Sequence, residues 1–114
     1  ALFVDFVALR VTALSVNGVA YAANDAARVE WRGERLRLAP AVLHAGENTL
    51  DVAYVGAYSR SGDGFHRFVD PEDGKVYVYT NFQPFCAHHL LPCFDQPDLR
   101  ATLALRVTAP RDWE

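Results

Sequence analysis

The chain has 114 residues, 51% hydrophobic and 22% charged, with a formal net charge of -3. That length holds one domain, and seven Phe, five Tyr and two Trp can furnish its core. The balance excludes the basic field that attracts nucleic acid, and no apolar run approaches the roughly 18 residues of a membrane helix.

Strand signals dominate in chain order. Leu2 to Leu9 is rich in Phe and Val, and Val11 to Val16 leads into Asn17-Gly18. That dipeptide tolerates positive φ at both positions and predicts a two-residue hairpin turn, with Val19 to Ala22 as the return strand. Val29-Glu30-Trp31 and Leu36-Arg37-Leu38 flank Arg32 to Arg35, a second hairpin. Residues 44 to 48 turn into Thr49 to Val55, an alternating strand with one polar face. Ser59 to Asp73 carries Gly62, Gly64 and Pro71 among charged residues and is expected to be loop. Asp73-Gly74 turns into a strand at Lys75 to Thr80. Pro84, Pro92 and Pro97 exclude a long helix or central strand from 81 to 100, leaving room for one short helical turn near Ala87 to Leu91. Ala101 to Thr108 alternates again and is expected to be the last strand.

Some eight short strands predict an all-β chain, an antiparallel β-sandwich over residues 1–114 as a single β domain. The sequence contains no Met and opens directly on a strand pattern, so it is expected to be a fragment of a larger protein and its sandwich a truncated one. Unpaired strand edges would then invite self-association or a partner chain. No Lys/Arg-led signal segment is present, from which a cytoplasmic location is expected.

Several residues carry chemistry and are weighed against plainer roles. His88-His89 with Cys86 and Cys93 gives Cys-x-His-His-x-x-x-Cys, which matches none of the usual zinc spacings. No metal ligand or catalytic residue is therefore assigned. The two cysteines are expected to be reduced and structural, a single bridge being the alternative. Asp70, Glu72 and Asp73 lack a calcium-loop pattern and read as a solvated acidic turn. Gly62-Asp63-Gly64 has no following helix and so no phosphate-loop context. Asn81 and Gln83 alternate with Phe82 just past a strand, which places both amides on one face. From the pattern they read first as turn residues satisfying backbone groups. The alternative is a pair holding a peptide's terminal amine or carbonyl.

Three stretches carry a family resemblance: Gly64-Phe65-His66-Arg67-Phe68-Val69-Asp70-Pro71-Glu72-Asp73-Gly74, then Val76-Tyr77-Val78-Tyr79-Thr80, then Pro92-Cys93-Phe94-Asp95-Gln96-Pro97-Asp98-Leu99. Together they resemble the aminopeptidase N family of zinc metallopeptidases. The resemblance implies a saddle-like N-terminal β-sandwich, packed against a catalytic domain of the same parent chain. The zinc motif HExxH and the exopeptidase motif belong to that other domain and do not occur here. It further implies zinc as cofactor of the full-length enzyme and none in this fragment, and peptides as substrates. Gln83 and Asn81 stand where the family's substrate-binding pair lies, usually Gln-x-Glu or Gln-x-Gln. Asn81 is one methylene shorter than Gln, and Gln83 is an amide where many members have a carboxylate. Cys86 and His89 replace a more usual Asp and Arg. The alternative function is a stand-alone interaction module that binds a partner through an exposed strand edge.

Overall fold

The computed structural model describes residues 1–114 and is built from nine antiparallel-paired strands. β1 (Leu2–Asp5), β6 (Arg35–Leu38), β5 (Val29–Trp31) and β4 (Asn24–Asp25) form one sheet, side by side in that order. β3 (Val19–Ala20), β2 (Arg10–Val16) and β7 (Leu50–Val55) form a second. β8 (Gly64–Val69) and β9 (Val76–Asn81) make a separate two-stranded ribbon. The fold is all-β, as its periodicity predicts. No helix is long and apolar enough to cross a membrane.

Alternation explains the core. Val4 of β1, Leu36 and Leu38 of β6 and Val29 of β5 meet Leu14 and Val16 of β2 in one cluster, closed by Val42. The intervening Arg35 and Arg37 point outward, as a period of two requires. Each aliphatic side chain withdrawn from water here contributes about 1.5–3 kcal/mol.

The Asn17-Gly18 turn forms as predicted, with φ of 51 and 79 and Val16 paired to Val19. Asn17 also ties the hairpin to a distant loop. Its Nδ2 donates to the Val42 carbonyl at 3.3 Å and to Asn48 Oδ1 at 2.9 Å, while its Oδ1 accepts the Thr49 N–H at 2.9 Å. Asn17→Ala removes these bonds and places a β-carbon residue of poor tolerance at positive φ, with an expected loss of about 1–3 kcal/mol. Urea denaturation checks this, with Asn17→Gly as the control that keeps the backbone free. A glycine variant as stable as the parent would show that the side-chain bonds contribute nothing.

Four expectations are corrected. The strand expected over Leu2 to Leu9 stops at Asp5 because the chain there leaves one sheet for the other. Phe6 N–H goes to the Glu34 carbonyl, Val7 N–H to His88 and Leu9 N–H to Val55. Within the expected loop Ser59 to Asp73, residues Gly64–Val69 are strand, paired from Gly64↔Asn81 to Val69↔Val76. Ladder pairing with β9 outweighs the breaker residues. Ala101 to Thr108 forms no strand: Leu103, Leu105 and Val107 are 72–74% exposed, and no strand lies alongside to take their backbone groups. Beside the turn expected near Ala87 (a 3₁₀ helix, Ala87–His89), a second 3₁₀ turn spans Pro40–Val42, where proline fits at the helix start.

Candidate functional site

The β8–β9 ribbon presents the residues singled out from sequence. Between its strands, Asp70 Oδ1 accepts the Glu72 N–H and Asp73 Oδ1 the Lys75 N–H, each at 2.8 Å, so these acidic side chains serve their own turn. The Lys75 N–H and then the Tyr77 hydroxyl, which donates to Asp73 Oδ2 at 2.7 Å, hold the Asp73 carboxyl below its ordinary pKa. That same bond raises the Tyr77 phenol.

One face of the ribbon is aromatic. His66 pairs across with Tyr79 and Phe68 with Tyr77, their ring centroids 5.0 and 5.4 Å apart. Phe68, Tyr77 and Tyr79 are exposed. The period of two carries that face onward from Tyr77 and Tyr79 to Asn81.

Asn81 ends β9 and is exposed. Its Nδ2 donates to Asp63 Oδ1 at 3.3 Å, and its Oδ1 accepts the Gln83 N–H at 3.4 Å. Phe82 is half-buried between two exposed amides, as the alternation predicts. The Gln83 carboxamide has no hydrogen-bond partner within the chain. A cis bond joins Gln83 to Pro84. The structure therefore brings Asn81 and Gln83 together and adds Asp63, which sequence reasoning passed over because it tested Gly62-Asp63-Gly64 only as a phosphate loop. The signal was the strand on either side: Gly64 pairs with Asn81, so its neighbour Asp63 lies beside the amides.

The ribbon docks on the Ala87–His89 turn. Gly64 is buried with φ 69, and a β-carbon there would sit 3.1 Å from His89 Cβ. The positive φ favours glycine, and a β-carbon would also press His89 to shift by a few tenths of an ångström. His88 faces the body of the fold, 6% exposed. Asp95 Oδ2 lies 2.6 Å from its Nδ1 and accepts its backbone N–H at 3.1 Å. Burial raises the Asp95 pKa, but the bonds from His88 outweigh it and leave the carboxyl below its ordinary value. Asp5 completes the junction: it exchanges both backbone hydrogen bonds with Cys93, at 2.9 and 3.0 Å, and its Oδ2 accepts the Asp95 N–H.

This donor set does not fit zinc. The bond from Nδ1 to Asp95 leaves His88 Nε2 free, but no three His, Cys, Asp or Glu side chains are grouped to hold a metal ion. Burial, with Asp95 and Asp5 nearby, pushes the Cys93 thiol up to about 11, where it stays protonated at neutral pH. Both cysteines are free. An open cleft of about 320 Å³ is lined by Asp5, Arg32, Glu34, Arg35, Phe85 and His88, and a second of about 180 Å³ by residues that include Leu9, Tyr58, Phe65 and His89. Neither is lined by Asn81 or Gln83.

Residues 4–113 match the family model described as the Peptidase M1 N-terminal domain. The chain is 41% identical over 111 residues to an aminopeptidase N of Streptomyces lividans, covering 97% of this chain and 12% of that protein. It is 37% identical over 70 residues to a probable M1 family aminopeptidase 1 of Encephalitozoon cuniculi, covering 61% of this chain and 8% of that protein. It is 33% identical over 66 residues to a glutamyl aminopeptidase of Homo sapiens, covering 56% and 7%. The chain thus spans no more than 12% of the length of these relatives.

Proposed function

The chain belongs to the Peptidase M1 N-terminal domain family, and from that premise we propose that the end of its β8–β9 ribbon forms part of the substrate wall of a zinc aminopeptidase. Gln83 is the first residue assigned to that wall and Asn81 the second. The observation that carries the reading is the Gln83 carboxamide, exposed, free of internal partners and set beside Asn81 on one edge. An amide offers an acceptor to a peptide's terminal ammonium and donors to its first carbonyl.

The division of labour follows from the residues. Asn81 holds the Gln83 backbone through its Oδ1, Phe82 packs inward, and the Gln83 side chain is left to meet the substrate. As a neutral acceptor, Gln83 gives a bond about half as strong as a carboxylate would. The metal and the groups that cleave the peptide lie in the rest of the parent chain, whose catalytic domain is the packing partner of residues 1–114.

In the full-length enzyme, Gln83→Ala is expected to raise KM for aminoacyl-nitroanilides about fivefold, the worth of one neutral hydrogen bond, with a smaller effect on kcat. Unchanged KM and kcat across several substrates would remove Gln83 from the site.

A further inference from the structure

The aromatic face and the two amides share a feature that neither accounts for. Asp63 Oδ1 lies 3.3 Å from Asn81 Nδ2, yet Asp63 takes part in none of the ion pairs of the chain, which join Arg28 to Asp25, Arg32 to Glu30, Arg35 to Asp5 and His88 to Asp95. It is a half-buried carboxylate with no cation to balance it. Tyr79 stands two residues before Asn81 on the same face and is 45% exposed. Its hydroxyl lies 3.7 Å from where a β-carbon on Gly62 would be, so the phenol borders the loop that carries Asp63.

A carboxylate beside an exposed aromatic ring is a receptor for an ammonium or guanidinium group: the first supplies charge, the second its negative face. We infer that Asp63 and Tyr79 recognise a basic first side chain, Lys or Arg, on the peptide substrate, with Asp63 as the specificity-determining residue. The inference rests on the proposed place of Gln83 at the substrate's amino terminus. Asp63 contacts Asn81, two residues from Gln83 and about 6–7 Å along an extended chain. With the α-ammonium at Gln83, an extended Lys or Arg side chain spans that separation, and Ala or Leu does not. The neutral Asn81 amide between the two ends does not compete for charge.

The test uses the full-length enzyme and coumarin amides of Lys, Arg, norleucine and Leu. Norleucine keeps the lysine stem and lacks its charge. Asp63→Asn retains an oxygen for the Asn81 amide and removes the carboxylate's charge, so the fold is kept and only recognition is probed. The Lys-to-norleucine ratio of kcat/KM should fall about tenfold, through KM, and Asp63→Glu should restore part of it. The wild-type ratio should also shrink as ionic strength rises. An equal loss on all four substrates would overturn the inference, because the carboxylate would then serve the α-ammonium or merely position Asn81. No loss on any would overturn it too. Gln83→Ala run alongside separates the two readings. If it weakens every substrate while Asp63→Asn leaves the ratio intact, the substrate wall stands and the basic specificity falls. If Asp63→Asn is selective and Gln83→Ala inert, Asp63 stays in the site and Gln83 leaves it.

Discussion

Phe6→Ala is expected to destabilise the fold by about 3–5 kcal/mol, the cost of emptying a large aromatic site. Phe6 is fully buried, where the chain crosses between sheets. Its ring meets Tyr54 edge-on at 4.8 Å and Trp31 at 6.0 Å. The Trp31 indole N–H donates to the Phe6 carbonyl at 3.0 Å, and the Tyr54 hydroxyl to the Leu90 carbonyl at 2.5 Å. One ring therefore braces the first sheet, the second sheet and the segment beneath the ribbon. Only 11 of 114 residues are buried, so few others can share the load. Against a total stability of about 5–15 kcal/mol for a domain, the loss should leave much of the chain unfolded at mild denaturant concentrations. Chemical denaturation followed by Trp fluorescence measures it. A loss below about 1 kcal/mol would show that the neighbours collapse into the space and that Phe6 is not the brace.

Asp95→Ala is the second large effect, expected at about 3 kcal/mol. It strips two donors, the His88 N–H and Nδ1, of their shared acceptor while His88 stays buried. Asp95→Asn should cost less, since its oxygen can still take the backbone N–H. The acid limb gives an independent check. The folded Asp95 pKa lies below the ordinary value of 3.8. Its contribution is therefore complete above the unfolded value and is lost as pH falls through the lower folded one. Parent and Asp95→Asn stabilities should converge below about pH 4. A constant difference across that range would mean that the charge of Asp95 contributes nothing.

Where side chains alternate against a core, the sequence was sufficient. Leu36 and Leu38, Leu14 and Val16, and the Asn17-Gly18 turn behave as their pattern requires. It failed where pattern and partner part company. Leu103, Leu105 and Val107 alternate as a strand should, yet alternation describes a face and says nothing of which ladder will receive it. Gly62, Gly64 and Pro71 look like loop, yet Gly64 opens a strand because the segment after it pairs with β9 from Gly64↔Asn81 to Val69↔Val76. At the site, the nearness of Asn81 and Gln83 was legible from their spacing. Asp63 was not, because its relation to Asn81 passes through the register of two strands 18 residues apart. His88 and Asp95 were both visible, the one as a metal candidate and the other within a stretch that carries the family resemblance. That they answer each other depends on the Ala87–His89 turn, whose path no period encodes.

The junction at Asp5 bears on how the chain folds in time. Asp5 and Asp95 meet across 90 residues, with Cys93 closing the backbone bridge beside them. On the ribosome, the hairpins of the first two sheets emerge and can zip while the 93–95 segment is still unmade. Closing so long a loop comes late, after the local pairings are in place. The 87–95 segment is then expected to latch last, outside the folding barrier. A late latch governs escape more than arrival: weakening it at Asp95 should leave the refolding rate nearly as it was and quicken unfolding.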